Sequence, residues 1–261
     1  MVYMNNKELL ARRNKVLCKH SPLVYDEPLQ LVRGEGVWVW DSGGKRYLDV
    51  YNNVPHVGHC HPRVVEALTR QASMLNTHTR YLHENIVNYA ERLTAKFDDS
   101  LSTAMLVCTG SEANEQALRM ARQHTGKQGI IVTDCAYHGI TEAVGELGSA
   151  FMPEASLTRR VKGVPIADTY KGLPGVPAEN LADAYADAVK AAIDAFEEEG
   201  VGLAGILVCP DFANEGLVNL PPGYLAKVAA HVRAAGGLFI ADEVQGGFVR
   251  TGKEWLSQEV D

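Results

Sequence analysis

The sequence predicts an α/β fold in which a mainly parallel sheet carries helices on both faces. From residue 105 to residue 241, short apolar strands alternate with longer amphipathic helices. This order is typical of parallel strands joined by helical crossovers. The predicted strands are continuously apolar, as expected for strands that are covered on both faces. Ligands in such sheets bind at the carboxyl ends of the strands, so the residues after each strand are candidate site residues.

The first part of the chain, to about residue 55, is predicted to be strand-rich. Strands at residues 36–40 and 46–50 are joined by residues 41–44, whose two glycines favour a tight hairpin turn. We therefore expect an N-terminal segment with a β-hairpin, residues 1–55, and a large domain, residues 56–261. The predicted helices of the large domain are 62–76, 84–96, one ending near Gly126, 181–199 and 224–235. The predicted strands are 105–108, 129–133, 204–208 and 238–241, and residues 145–180 are predicted to be rich in loops.

The composition is that of an ordinary globular protein. Of the 261 residues, 46% are hydrophobic and 22% are charged, and the net charge is −7. This charge argues against nucleic acid or an anionic membrane as the main partner. No apolar run approaches the length of a membrane span, and residues 1–10 lack the apolar stretch of a secretory signal. We therefore expect a cytoplasmic protein.

The cysteines indicate a reducing compartment. Their number, 5, is odd, and they are widely scattered, so they are predicted to be free thiols, several of them in the core. The run His59-Cys60-His61 has a spacing that matches no common zinc site, and no second pair of ligands follows it. No metal site is expected.

Asp242 is the most informative single residue. It follows the apolar run 237–241, which places a carboxylate at the end of a buried strand, where an unpaired charge is costly. One interpretation is a loop-capping carboxylate, or one paired with Arg250. Another is that it pairs with the protonated ring nitrogen of a bound cofactor, as in enzymes that use pyridoxal phosphate (PLP) as an electron sink.

Two further segments follow predicted strands and extend this second interpretation. Residues 109–114 lie where a strand leads into a helix, and Gly110 and Ser111 there could bind a phosphate through the helix N-terminus, although a simple helix cap has the same pattern. Tyr137 follows the strand 129–133 and could stack on a planar ring or pack on the core. A nicotinamide-binding fold is disfavoured because residues 109–114 contain only one glycine.

The sequence resembles the class III aminotransferases, which are PLP-dependent enzymes of fold type I. The resemblance rests on VCTGSEANE at 107–115, AYHG at 136–139 and ADEVQGGFVRTG at 241–252, and it extends to GEGVWVWD at 34–41, YLD at 47–49 and GHCHP at 58–62. The stretches 52–61 and 75–83 are closer to the branch of ethanolamine-phosphate phospho-lyases and alanine–glyoxylate-type aminotransferases.

The resemblance implies a set of cofactor-binding roles. Gly110 and Ser111 would bind the PLP phosphate. Tyr137 would stack on one face of the ring with His138 beside it, and Val244 would pack on the other face. Asp242 would pair with the ring nitrogen, and Gln245 would donate to the phenolic oxygen.

Two departures from the family pattern bear on function. Residues 209–216 replace the usual Glu-Pro and its loop, so a cysteine, Cys209, stands where the family has a glutamate. Asn214 or Glu215 could occupy the position of a loop glutamate that in several members pairs with a substrate-binding arginine. The Schiff-base lysine and the small C-terminal domain are expected beyond Asp261, so we expect no catalytic lysine in this chain and no turnover by the chain alone.

The expected activity is transfer of an amino group from an amino acid or amine to a keto acid, by a protein that is a homodimer in its full-length form. One alternative is a PLP-dependent phospho-lyase acting on an amino-alcohol phosphate. For this substrate Asn53, Arg80 and His83 are candidate binding residues, although Arg80 could equally form a structural salt bridge. A second alternative is a PLP-binding or scaffold protein without turnover.

Overall fold

The computed structural model describes residues 3–18, 23, 25–52, 54–148 and 158–255. The chain divides into two compact units, Met1–Asn88 and Tyr89–Asp261. The helices are α1 Asn6–Val16, α2 Pro62–Met74, α3 Glu84–Thr94, α4 Gly110–Thr125, α5 Glu142–Gly145, α6 Leu181–Glu198 and α7 Tyr224–Ala234. The strands are β1 Leu31–Glu35, β2 Trp38–Asp41, β3 Arg46–Leu48, β4 Gly129–Thr133, β5 Val161–Val164, β6 Leu203–Val208 and β7 Leu238–Ala241.

The first unit contains a three-stranded antiparallel sheet in the order β1-β2-β3. The hairpin between β2 and β3 is held by the carboxylate of Asp41, whose Oδ1 accepts from the backbone N–H of Gly43 and of Lys45 at 2.9 Å each. Its Oδ2 accepts from the Tyr47 hydroxyl at 2.7 Å. The hairpin predicted from the two glycines is therefore confirmed, with a side-chain carboxylate closing the turn.

The second unit is built on a four-stranded parallel sheet in the order β5-β4-β6-β7. The central strands β4 and β6 are buried at every position. Ile131 of β4 packs in a core with α6 and α7, whereas its neighbours Ile130 and Val132 pack in a second core with Leu118 of α4. Because side chains alternate across a strand, these two cores lie on opposite faces, and the predicted parallel sheet with helices on both faces is confirmed.

The structure corrects several local predictions. The first 55 residues include a helix, α1, whose N-terminus is capped by Asn5. Residues 105–108 form no strand, whereas β5 lies inside the segment predicted as loop. All five cysteines are free, but only Cys209 is buried. The prediction of several core cysteines, three of them in or beside strands, is therefore wrong, because a run of apolar residues indicates burial only where a neighbouring strand or helix covers it.

No helix in the described part of the chain is long and apolar enough to cross a membrane. The His59 ring, considered above as a metal ligand, is paired with Asp49, whose Oδ2 lies 2.7 Å from its Nε2. In the described ranges, no group of three or more His, Cys, Asp or Glu side chains is arranged to hold a metal ion.

Candidate functional site

The carboxyl ends of three adjacent strands meet at one small cavity in the second unit. Loops leave the sheet after β4, β6 and β7, and the N-terminus of α4 reaches the same edge. The cavity has a volume of about 200 Å³ and is lined by Gly110, Ser111, Tyr137, His138, Gly139, Cys209, Asn214, Asp242, Val244 and Gln245. This is the position at which parallel sheets bind ligands.

The N-terminus of α4 presents free donors to this cavity. The helix is capped by Thr109, whose hydroxyl oxygen accepts from the N–H of Glu112 at 3.1 Å, while the Glu112 carboxylate accepts from the N–H of Cys108 at 2.7 Å. The arrangement is similar to a capping box, except that the carboxylate bonds the N–H before the N-cap residue, and it engages the nearest carboxylate with the backbone that precedes the helix. The helix dipole therefore favours an anion at Gly110 and Ser111.

Two glycines allow a ligand and the backbone to come close here. A Cβ at Gly139, whose φ is +132°, would collide with the Ser111 side chain, and a Cβ at Gly110 would lie 2.8 Å from Val244 Cγ2. The Ser111 hydroxyl oxygen accepts from the N–H of Ile140 at 3.2 Å, so its own proton remains available to donate. These contacts hold the Ser111 side chain at the cavity wall.

Asp242 lies at the centre of a buried hydrogen-bond network. Its Oδ2 accepts from Asn114 Nδ2 at 2.8 Å and lies 2.8 Å from His138 Nδ1, and its Oδ1 accepts from the N–H of Val244 at 3.1 Å. Burial by itself would raise the pKa of Asp242, but the contacts with His138 and Asn114 outweigh it, so the pKa lies below its ordinary value. The carboxylate is therefore ionised and fixed. Its side-chain partners are His138 and Asn114 rather than Arg250.

Two side chains with exposed surface border the cavity. Tyr137 is 38% exposed and Val244 is 72% exposed, although both contact residues of the site. An exposed aromatic ring and an exposed valine at the mouth of a cavity that ends in a carboxylate are suited to the two faces of a planar cationic ring. Gln245, half-buried beside them, adds a polar group.

The structure brings all seven predicted cofactor-binding residues to this one cavity: Gly110, Ser111, Tyr137, His138, Asp242, Val244 and Gln245. Sequence reasoning assigned no role to Asn114, which is 6% exposed and also donates to the carbonyl oxygen of His138 at 2.9 Å. The signal that could have found it is an amide on the helix face that packs against the sheet, since a buried amide needs partners.

Cys209 lines the same cavity, in the position where a glutamate was expected from the resemblance. Its Sγ donates to Asp211 Oδ1 at 2.8 Å. Burial, followed by the contact with Asp211, raises the pKa of this thiol far above its ordinary value. Cys209 is therefore a neutral thiol, and it cannot supply the charge that a glutamate would place there.

The predicted substrate residues belong to the first unit or lie outside the described residues. His83 Nδ1 accepts from the N–H of Asn85 at 3.2 Å, and its Nε2 lies 3.5 Å from Gln71 Nε2. Among the described residues, the guanidinium of Arg80 forms no ion pair, so the structural salt bridge considered for it is not observed. Asn53 lies outside the described residues.

Comparison with known proteins decides the family. The family described as "Aminotransferase class-III" matches residues 22–261. The chain belongs to the class III aminotransferases. It is 36% identical to an "Alanine--glyoxylate aminotransferase 2-like" protein of Drosophila melanogaster, over 98% of this chain and 53% of that protein. It is 31% identical to "Ethanolamine-phosphate phospho-lyase homolog 1" of Caenorhabditis elegans, over 98% of this chain and 57% of that protein. The chain thus spans about half the length of these relatives.

Solved structures of the family share the fold. A phospholyase from Arthrobacter in complex with phosphoethanolamine superposes with a TM-score of 0.90 at 47% identity, over 96% of this chain and 59% of that one. A taurine:2-oxoglutarate aminotransferase from Bifidobacterium kashiwanohense, in complex with PLP and glutamate, has the same fold with a TM-score of 0.84 at 24% identity, over 100% of this chain and 60% of that one. The predicted fold type I and the family's PLP dependence are confirmed.

The residues present in the cavity fit this cofactor. A phosphate needs donors and a helix N-terminus, which Ser111 and the first turn of α4 offer without a carboxylate pointing at them. A pyridinium nitrogen needs a buried anion, which Asp242 offers. The individual roles of these residues stay predictions.

Proposed function

We propose that this chain provides the PLP-binding part of an enzyme that transfers the amino group of a small amine or amino acid to a keto acid. The observation that supports the proposal most strongly is the ionised, buried Asp242 opposite the N-terminus of α4 in one cavity. A buried, ionised carboxylate in a cavity with a phosphate site at its rim is suited to a cationic ring that carries a phosphate.

The residues of this chain would bind and orient the cofactor. Ser111 and the first N–H groups of α4 would bind its phosphate, and Tyr137 and Val244 would cover the two faces of its ring. The Asp242 carboxylate would keep a proton on the ring nitrogen. When bound, PLP supplies an electron sink for the electron pair released at the substrate carbon. His138 and Asn114 would keep Asp242 oriented as that charge develops.

Binding of PLP to the purified chain tests the cofactor site. Titration should give saturable binding of one PLP per chain, and Ser111→Ala should weaken it. A chain that binds no PLP, or binds it as strongly with Ser111→Ala and Asp242→Asn combined, would refute the proposed site.

A phospho-lyase acting on an amino-alcohol phosphate is a second candidate reaction. Two observations favour it: the 47% identity to a phospholyase whose structure contains phosphoethanolamine, and the neutral Cys209 in place of the family's glutamate. In several members of the family a glutamate of the loop after this position helps to recognise the amino acceptor. Residues 209–216 depart from that pattern, and elimination of phosphate needs no acceptor. The Arg80 guanidinium, with no ion pair in the described part of the chain, would bind the substrate phosphate.

The two reactions differ in their products. The protein that carries this chain is incubated with phosphoethanolamine alone, and then with an amine donor and a keto acid. Release of inorganic phosphate without a keto acid supports the lyase, and amino transfer that depends on the keto acid supports the aminotransferase. Arg80→Gln should impair only phosphate release, and an equal loss of both reactions would contradict its assignment to the substrate phosphate.

We further propose a cytoplasmic homodimer. The first unit exposes large apolar side chains, among them Val50 at 86%, Val54 at 84% and Leu82 at 101% of their surface. Apolar surface on this scale indicates an interface, and a two-fold pair of identical chains is the commonest assembly. Light scattering of the full-length protein that carries this chain is expected to give twice its monomer mass, and a stable monomer at tens of micromolar would contradict this.

A further inference from the structure

One set of polar contacts near the cofactor cavity has no role in the binding scheme above. It begins at Thr133, the last residue of β4, whose hydroxyl donates to Glu215 Oε1 at 2.6 Å. Glu215 belongs to the loop that follows β6, the strand beside β4 in the sheet. His138 follows β4 and contacts Asp242, which follows β7 on the other side of β6. The loop after β6, which carries Glu215, therefore lies between the end of β4, which leads to His138, and the end of β7, which leads to Asp242.

The loop holds Glu215 in place. Phe212 is fully buried, and its carbonyl oxygen accepts from the N–H of Gly216 at 3.1 Å and from that of Leu217 at 2.9 Å. Phe212 and Leu217 both have positive φ, +47° and +54°. Non-glycine residues adopt such angles at a cost, and they persist where the surrounding structure demands them. The burial of the Phe212 ring and the hydrogen bond from Thr133 to Glu215 keep the loop in this conformation.

Two atoms in this region are buried without a hydrogen-bond partner: Nε2 of His138 and Oε2 of Glu215. The His138 side chain is completely buried and its other nitrogen is committed to Asp242. Burial raises the pKa of Glu215 above its ordinary value, and the hydrogen bond from the Thr133 hydroxyl opposes this rise. Asn214, the residue before Glu215, lines the same cavity as His138, so the loop that carries Glu215 reaches the region of the His138 ring. A buried polar atom without a partner is destabilising, so two such atoms in one region call for a common partner.

We propose that Glu215 is a positioning residue of this site, which bonds Nε2 of His138 through one bridging water and so fixes the imidazole that orients Asp242. Direct contact is excluded, because neither atom has a partner within hydrogen-bond distance. A water enclosed by His138 and Glu215 has the polar partners that buried waters need. The result is one continuous chain of hydrogen bonds, Thr133–Glu215–water–His138–Asp242, and it rests on the proposed cofactor site for its function.

Each hydrogen bond in this series has one donor and one acceptor. Asp242 accepts from Nδ1–H of His138, and in the proposed arrangement Nε2 is the acceptor. The water donates one proton to Nε2 and the other to Oε2 of Glu215, whose Oε1 already accepts from Thr133. The tautomer of a histidine is set by the bond that its second nitrogen makes. Glu215 therefore keeps the proton on Nδ1, where Asp242 needs it, and a ring nitrogen bound to Asp242 would inherit that orientation.

The experiment is nuclear magnetic resonance of the 261-residue chain without cofactor, with ¹⁵N in its histidine rings. The parental chain is compared with Glu215→Leu and Glu215→Gln. His138→Gln identifies the His138 signals. Glu115 offers a matched control, because its Oε2 accepts from the Thr141 hydroxyl at 2.7 Å in the same unit, as Glu215 accepts from Thr133. In Glu215→Leu the Nε2 signal of His138 should move and the Nδ1–H should exchange faster with solvent. Glu215→Gln, which can still bond the water, and Glu115→Leu should both retain the parental signals.

PLP binding supplies an independent second measurement. Glu215→Leu should weaken PLP binding about tenfold, as for a lost supporting hydrogen bond, while Glu215→Gln restores most of the affinity. Unchanged His138 signals in Glu215→Leu, or an equal change in Glu115→Leu, would overturn the proposal. If no variant binds PLP but the His138 signals respond as expected, the proposed cofactor site fails and the role of Glu215 stands.

Discussion

Replacing Asn114 by leucine removes both donors that connect α4 to the buried network. Asn114 is 6% exposed and donates to the His138 carbonyl oxygen at 2.9 Å and to the Asp242 carboxylate at 2.8 Å. A neutral hydrogen bond contributes about 1 kcal/mol and one to a charged group about 1.5–3 kcal/mol. Leucine has the same branching with larger methyl groups and leaves no cavity, so the free energy of unfolding should fall by about 2–4 kcal/mol or more.

Urea unfolding at neutral pH measures this loss, with Gln123→Leu as the control. Gln123 lies on the exposed side of the same helix, so its replacement tests the effect of a leucine in α4 without touching the network. The control should change the free energy of unfolding by less than about 0.5 kcal/mol. A loss below about 1 kcal/mol in Asn114→Leu would refute the assignment of two buried hydrogen bonds to this side chain.

A double-mutant cycle separates the two bonds. In an Asp242→Asn background the charged acceptor becomes a neutral amide oxygen, so Asn114→Leu should cost only about 1–2 kcal/mol, the value of neutral hydrogen bonds. An unchanged cost in that background would mean that Asn114 acts through the His138 carbonyl alone.

Three further predictions concern the same cavity. Ser111→Ala should weaken binding of PLP about tenfold or more in a direct titration and leave binding of pyridoxal, which has no phosphate, unchanged. Gly139→Ala should destabilise the fold in urea because its φ is +132° and its Cβ would meet the Ser111 side chain, whereas Gly145→Ala, with open space around it, should not. Asp242 has a lowered pKa in the folded state, so its contribution is present above the ordinary aspartate pKa and is lost as the pH falls through the lower folded value. Acid unfolding of Asp242→Asn should therefore show a smaller pH dependence, and an unchanged profile would contradict the lowered pKa.

Local sequence patterns were sufficient to predict many of the helices and strands of the second unit. The apolar runs of β4 and β7 were predicted with the bounds that the structure has, and α6 and α7 to within one residue. The fold class followed from their alternation, and the seven cavity residues followed from segments that come after strands or resemble the family. These properties are local, because spacing along the chain decides which side of a strand or helix a residue occupies.

The tertiary structure alone decided which polar groups meet. His138 lies 104 residues from Asp242, Asn114 lies 128 residues from it, and Thr133 lies 82 residues from Glu215. No periodicity links such positions; the order β5-β4-β6-β7 brings their strand ends together. For the same reason residues 105–108 are apolar without forming a strand, since a strand requires a neighbour whose hydrogen bonds it can share. The sequence determined which residues could serve a cofactor, and the order of the strands determined that Asp242 is held by His138 and Asn114, because only folding brings distant donors within hydrogen-bond distance of a buried charge.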